Sequence, residues 1–309
     1  MKKVLIFGVA GFVGGYLVKE FAKAGGYHIY GSDMVESFAQ EELSAYYPCD
    51  ILDGPACEAL IESIQPDYII NLAALSSVRM SWDLPEKTIE INVLGAMHIM
   101  DGAVKLEKKP VLLMVGSSEE YEISDKALRE DSPLSANNPY GISKATLEQM
   151  AEIYRMKYKI TIYFTRSFNH TGVGQKPVFV VPSFAKQVAE IEKSQGPGVM
   201  KVGNLSAMRD ISDVRDVVCA YRMILESGSK EKVFNVGSGK ASKIQEILEI
   251  LIGFSSYEIK VEQDPDKMRP SDNPFICADN TLLKKETGWS PKYSIEDTVK
   301  ALFDYYVEE

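Results

Sequence analysis

Cysteine, histidine and positive charge are all scarce in this chain, and each scarcity removes a class of function. The four cysteines, Cys49, Cys57, Cys219 and Cys277, form no close pair with redox or metal spacing, and no secretory leader precedes Lys2-Lys3-Val4. A reduced, cytoplasmic protein is therefore expected. The three histidines, His28, His98 and His170, are far apart and lack zinc spacing, so no metal centre is expected. No nucleophile-elbow serine motif is present, which argues against acyl transfer. Lys and Arg number 34 against 44 Asp and Glu, a formal net charge of -10. That balance argues against nucleic-acid or anionic-membrane partners but leaves room for a local cationic site that takes a phosphorylated small molecule. No apolar run approaches the ~20 residues that span a bilayer. Nor is there an internal repeat or a low-complexity segment. What remains is ordinary globular composition, 309 residues with 45% apolar and 25% charged, enough for a large core in one or two domains.

Val4-Leu5-Ile6-Phe7 is a continuous apolar run of the kind buried on both faces of a parallel sheet. It leads into Gly8-Val9-Ala10-Gly11-Phe12-Val13-Gly14, and the helical spacing of Phe12, Val13, Tyr16, Leu17 and Phe21 follows until Gly25-Gly26. Glycines between a strand and a helix let backbone N–H groups approach a pyrophosphate, and the helix N-terminus favours the anion. The spacing here is GxxGxxG rather than GxGxxG. A second strand ends at Asp33, where a carboxylate can accept from both ribose hydroxyls of NAD and repel the 2′-phosphate of NADP. NAD is the expected cofactor, with NADP the alternative.

Strand and helix then alternate. A strand runs into Cys49-Asp50-Ile51, a helix from Pro55 to about Gln65, and a strand over Tyr68 to Ala74. Asp50 and Ile51 are placed to flank an adenine, Leu72, Ala73 and Ala74 to admit the cofactor closely, and Ser76 and Ser77 to line the mouth. One long helix is expected from Pro85 to about Glu107, with Asn92 set among apolar residues. A buried amide needs partners, so Asn92 either holds backbone or water near Lys144 or braces packing. Val111 to Val115 forms the next strand and delivers Ser117 to its C-terminal end, where open α/β sheets bind ligands.

Pro139 opens a helix on which Tyr140 and Lys144, four residues apart, share one face. A free phenol has a pKa of ~10, and a neighbouring cation favours the phenolate. With Ser117 hydrogen-bonding the same reacting oxygen, the three residues make a proton relay for a carbonyl or alcohol. A strand over Ile160 to Phe164 follows, after which shorter elements and prolines suggest a second lobe. The expected architecture is α/β, a Rossmann-type doubly wound parallel sheet over residues 1–168 for NAD, with 212–237 returning to it. Residues 169–309 form mainly a smaller substrate-binding lobe.

The glycine fingerprint, Ser117, Tyr140 and Lys144 together resemble the extended short-chain dehydrogenases/reductases, nearly end to end. In that family the Tyr and Lys are the relay pair, the Ser orients the carbonyl, and a helix Asn such as Asn92 supports the relay. Gly203-Asn204-Leu205-Ser206-Ala207-Met208-Arg209-Asp210 and Phe168-Asn169-His170-Thr171-Gly172-Val173-Gly174-Gln175 narrow the likeness. They resemble the GDP-mannose 4,6-dehydratases and the GDP-4-keto-6-deoxymannose reductases. By that resemblance a GDP-linked sugar is the expected partner. Asn169, Arg209 and Arg269 would hold its diphosphate, Lys186, Phe179 and Val180 would lie near the guanine, and Ser118 would touch the substrate. Arginine suits phosphate because its planar fork offers paired, charge-assisted hydrogen bonds. Arg209 also stands in a run with Asp210, Asp213, Arg215 and Asp216 that reads alternatively as a surface ion-pair cluster.

A reductase needs a hydride donor and a proton for the carbonyl oxygen; a dehydratase needs in addition a base for the C5 proton. Glu119 stands where the resemblance places that base, while Glu120 reads as a solvated loop carboxylate. Ser32-Asp33-Met34, where the mannose dehydratases usually present arginines for NADP, and the short chain both favour the reductase. Glu122 and Val173 depart from the family's usual glycine and proline. The resemblance keeps a 4,6-dehydratase or an epimerase as the second reading, and a non-catalytic NAD-binding sensor as the third. It also implies a homodimer formed by helices near 87–106 and 140–157.

Overall fold

A computed structural model of the chain describes residues 1–267 and 273–309. In chain order the first half runs β1 (Lys2–Phe7), α1 (Phe12–Ala24), β2 (Tyr27–Asp33), β3 (Ala45–Pro48), α2 (Gly54–Ile64), β4 (Tyr68–Asn71), α3 (Val78–Asp83) and α4 (Pro85–Ile89). A π-helical segment, Glu90–Gly95, joins α4 to α5 (Ala96–Lys105), followed by β5 (Val111–Ser117), α6 (Pro139–Tyr158) and β6 (Ile162–Ser167). The second half contains β7 (Asn169–Thr171), α7 (Val180–Ser194), β8 (Gly198–Val202), β9 (Met208–Asp213), α8 (Val214–Glu226), β10 (Val233–Val236) and β11 (Ala241–Lys243). It ends with α9 (Ile244–Ile252), β12 (Ile259–Gln263), β13 (Phe275–Ile276), α10 (Thr281–Thr287) and α11 (Ile295–Glu308).

Seven parallel strands form the main sheet in the order β10-β6-β5-β4-β1-β2-β3. Side chains alternate across a strand, and a sheet covered on both faces buries both sets. Val4 and Ile6 accordingly enter one core, against α1 and α8, while Leu5 and Phe7 enter the other, against α2, α5 and α6. This is why β1 reads as an unbroken apolar run. The strand order reverses between β1 and β4, and crevices at such switch points receive ligands at the carboxyl ends of the strands. A third core, built by α7, α9, α11 and β8, supports the second lobe. There β9 is the hub, pairing with β7, β11 and β13.

Several boundaries differ from expectation. Strand β3 stops at Pro48, so Cys49, Asp50 and Ile51 lie in the turn before α2, which Asp53 caps through the Ala56 N–H. The long helix expected over 85–107 is interrupted by the π segment, which holds Asn92. Cys49 and Cys57, unremarkable by spacing, are buried with their sulfurs 3.7 Å apart. Among the described residues, no helix is long and apolar enough to cross a membrane.

Candidate active site

The fingerprint glycines have distinct jobs. Gly8 holds φ at +80°, and a Cβ there would stand 2.6 Å from the Ala73 nitrogen, so the turn after β1 can touch the end of β4 only as glycine. A Cβ on Gly14 would meet the Val9 carbonyl at 2.2 Å, which sets how closely α1 approaches β1. Gly11 caps α1 with no side-chain hydrogen bond, and no acidic side chain lies in the first turn, where Phe12 and Val13 stand. The helix thus offers its N–H groups and positive dipole end to an anion. Asp33 ends β2 above this loop, its Oδ2 accepting from Ala10 N at 3.1 Å and its Oδ1 from Met34 N at 2.8 Å. Ala73 N donates to the buried Asn71 Oδ1 at 3.0 Å, fixing the turn through Leu72, Ala73 and Ala74. Asp50 Oδ1 accepts from Leu52 N, and the Ile51 side chain packs closely against Gly95. These groups fit a dinucleotide: a glycine cradle that no Cβ could enter, an open helix N-terminus and a carboxylate one strand away.

Ser117 ends β5, and its hydroxyl lies close enough to the Tyr140 phenol to favour loss of the phenol's proton. Lys144 is 4% exposed; its Nζ donates to the Val115 carbonyl at 2.7 Å and lies 5.8 Å from the Tyr140 ring centre. Burial pushes the phenol well above its ordinary range; the Ser117 hydroxyl opposes this, while the charges of Glu119 and Glu120 add to it. Tyr140 is therefore a neutral proton donor at rest. Burial also pulls Lys144 down to about 8, against the opposing pull of Glu120.

Asn92 is buried and bonds both backbone and a side chain of α6. Its Oδ1 accepts from Leu75 N at 2.8 Å, and its Nδ2 donates to Leu75 O at 3.2 Å and to Ser143 Oγ at 2.9 Å. The extra residue of a π turn re-aims a side chain, and here it ties the loop after β4 to the helix that carries the relay. Asn138 caps α6 through Gly141 N and donates to Glu119 Oε2 at 2.9 Å, so Glu119 is held at the relay's edge. Asn138 followed by Pro139 is a helix-start signature that would have marked this residue beforehand. Ser81, which accepts from Tyr140 N, and the buried Tyr221, which bonds Ser167, carried no such signal.

Glu120 corrects the expectation of a solvated carboxylate. It is 0% exposed, because the single 3-10 turn Ser118–Glu120 folds it back so that Oε1 accepts from Ser117 N at 2.7 Å. Asp210, Asp213 and Asp216 likewise are buried, and within that run Asp213 pairs with the partly exposed Arg215 at 2.7 Å. Asp210 accepts from the N–H groups of Ser238, Gly239 and Ala278, and Asp213 caps α8.

The remaining substrate candidates are spread over both halves of the chain. Asn169 opens β7 beside Ile211 of β9, two residues along the strand from Arg209, whose Nη1 donates to Met208 O. Phe179 and Val180 stand exposed at the start of α7, and Lys186 lies exposed on the same helix, 3.9 Å from Glu190. Ser118 is buried next to Ser117; Ser76 is exposed and Ser77 caps α3 through Met80 N. Arg269 lies outside the described residues. The Phe168–Gln175 loop is anchored to α1: His170 stacks on Phe12 with ring centres 6.3 Å apart, and the Tyr16 hydroxyl donates to Val173 O at 2.8 Å.

Comparison with known proteins gives one family. The model of the GDP-mannose 4,6-dehydratase family matches residues 5–302. GDP-6-deoxy-D-mannose reductase of Pseudomonas aeruginosa is 30% identical over 240 residues, covering 77% of this chain and 79% of that protein. GDP-mannose 4,6-dehydratase of Yersinia enterocolitica is 25% identical over 344 residues, 96% of this chain and 91% of that one. The solved structure of RMD from Pseudomonas aeruginosa complexed with NADPH superposes with a TM-score of 0.88 at 27% identity, over 100% of this chain and 99% of that one. With its sheet order, glycine cradle and Ser–Tyr–Lys site, the chain belongs to the GDP-mannose 4,6-dehydratase family.

Proposed function

We propose that this chain is an NAD(P)H-dependent reductase acting on the C4 ketone of a nucleotide-linked 4-keto-6-deoxyhexose, GDP-4-keto-6-deoxymannose. The observation that carries the reading is the Tyr140 phenol, held neutral by burial, with the Ser117 hydroxyl near it and Lys144 5.8 Å from its ring centre. Bound nicotinamide supplies the hydride. Tyr140 gives its proton to the ketone oxygen, Ser117 donates to the charge that develops there, and the Lys144 ammonium stabilises the phenolate left behind. Gly8, Gly11, Phe12, Val13 and Gly14 cradle the cofactor's pyrophosphate, Asp33 takes the ribose, and Asp50 and Ile51 flank the adenine. Leu72, Ala73 and Ala74 let it approach β4. Asn169, Arg209 and Arg269 take the sugar nucleotide's diphosphate, Phe179, Val180 and Lys186 its base, and Ser76, Ser77 and Ser118 the sugar. In this reading the domains divide at residue 168, with 212–237, which includes α8 and β10, rejoining the first unit.

Glu119, oriented by Asn138 at the relay's edge, favours a second reading as a 4,6-dehydratase, in which it removes the C5 proton. Oxidation of NADH and of NADPH, followed separately with GDP-4-keto-6-deoxymannose, separates the two. Rapid consumption of NADH is expected. Silence with both reductants, together with conversion of GDP-mannose without any, overturns the reductase in favour of the dehydratase. Replacing Asp33 by Ser removes the ribose acceptor and the repulsion of a 2′-phosphate. The KM for NADH is expected to rise about tenfold or more and that for NADPH to fall. Unchanged KM values would remove Asp33 from the cofactor site.

We also propose a homodimer. Ile142, Ile153 and Met156 fall on one stripe of α6 by helical spacing, all about half exposed, and Ile89 and Leu94 lie exposed on the neighbouring α4 and π segment. Exposed apolar side chains on neighbouring helical segments suit a partner surface, and two copies would cover them as a four-helix bundle. The wild type is expected to sediment at twice the chain mass of 34.4 kDa, and the double variant Leu94→Glu, Met156→Glu at the chain mass. A wild type that sediments as a monomer ends the proposal.

A further inference from the structure

Glu120 is fully buried behind the relay, and the reaction proposed above gives it no task. One oxygen accepts from Ser117 N at 2.7 Å; the other, Oε2, is shut from solvent with no hydrogen-bond partner. Lys144 Nζ is anchored to Val115 O, two residues earlier on β5. Backbone groups of residues two apart in a strand point to the same edge, so the carboxyl and the ammonium approach β5 from one side. Space for the carboxyl is made by Gly116, where a Cβ would lie 2.5 Å from Glu120 Oε1 and 2.2 Å from the Phe164 ring.

The charges around Glu120 come from three elements. Helix α6 presents Lys144 and Glu148, strand β6 presents Arg166, which is paired with Glu148 at 2.7 Å, and the turn itself carries Glu119. Tyr140 lies within the same field. Burial, then Glu148, push the Glu120 carboxyl well above its usual range, while the Ser117 N–H, Arg166 and Lys144 pull it back. For Lys144, Glu120 is the group that opposes the loss of its proton in the dry interior.

We infer that Glu120 is a positioning residue for the relay: one oxygen fixes the backbone of Ser117, and the carboxylate is the buried counter-charge that keeps Lys144 an ammonium. In its ionised form Glu120 holds the proton on Lys144. The activity arm of the test rests on the reductase reading; the spectroscopic arm does not.

Glu120→Gln keeps the shape and the acceptor for Ser117 N while removing the charge. Its alkaline limb of kcat is expected to move to lower pH by about one unit, with KM unchanged. The Glu120 carboxyl band, identified by infrared difference between wild type and Glu120→Gln, is expected to persist to higher pH in Lys144→Met, where its cation is gone. A Gln variant whose pH profile superimposes on the wild type reduces Glu120 to a backbone cap and overturns the inference. A carboxyl band that ignores Lys144→Met overturns it as well. If the wild type reduces no keto sugar, the reaction reading fails and the infrared titration alone decides Glu120.

Discussion

Tyr140→Phe is expected to lower kcat for reduction by about a thousandfold with little change in KM, since a positioned general acid contributes roughly 10²–10⁴. The substitution removes only the phenolic oxygen, and the ring stays packed against α6. Protein that retains wild-type turnover would place the proton donor elsewhere and remove the relay from the mechanism. The same geometry sets a pH dependence. Lys144 loses its ammonium as pH rises through about 8, and with it goes the stabilisation of the Tyr140 phenolate. Activity is therefore full below that value and falls above it. Lys144→Met is expected to lower kcat comparably and to abolish this limb.

The glycine loop after β1 and the juxtaposition of Ser117, Tyr140 and Lys144 were legible in the chain because each of their parts obeys a local rule. Val4–Phe7 reads as a strand buried on two faces, Gly8 and Gly14 stand where no Cβ fits, and Tyr140 and Lys144 are one helical turn apart. Glu120 had no such rule. Glu119, Glu120 and Glu122 surround Tyr121, a composition that reads as solvated, and the burial arises from α6 and β6, both distant in sequence.

The same cause hid the strand pairing inside the second lobe. Strand β9 is six residues long, and its partners β7, β11 and β13 are drawn from three separate stretches. Asp210 is satisfied by backbone groups 28 and 68 residues away, which no local pattern announces. Asn92 fell between: its burial follows from the apolar series around it, but its partners depend on the π turn, which the periodicity read as plain helix.

Arg166→Met is expected to have the largest effect on stability, about 3–5 kcal/mol. The guanidinium ends β6 almost wholly buried and makes four hydrogen bonds: to both oxygens of Glu148 at 2.9 and 2.7 Å, to the Tyr121 hydroxyl at 2.9 Å and to Glu130 O at 2.8 Å. Tyr121 in turn donates to Asn235 Oδ1 at 2.6 Å, which couples β10 to the turn below the relay. Removing the cation leaves Glu148 without its partner and close to the buried Glu120, and the uncompensated charge, rather than the lost bonds, sets the cost. Thermal unfolding should fall by on the order of ten degrees. The double variant Arg166→Met, Glu148→Leu removes the stranded carboxylate too and is expected to recover part of that loss, so that the two substitutions are not additive. Additive losses would mean that Arg166 acts through Tyr121 and Glu130 alone, and that the ion pair beneath the relay contributes nothing to holding β5, β6 and α6 together.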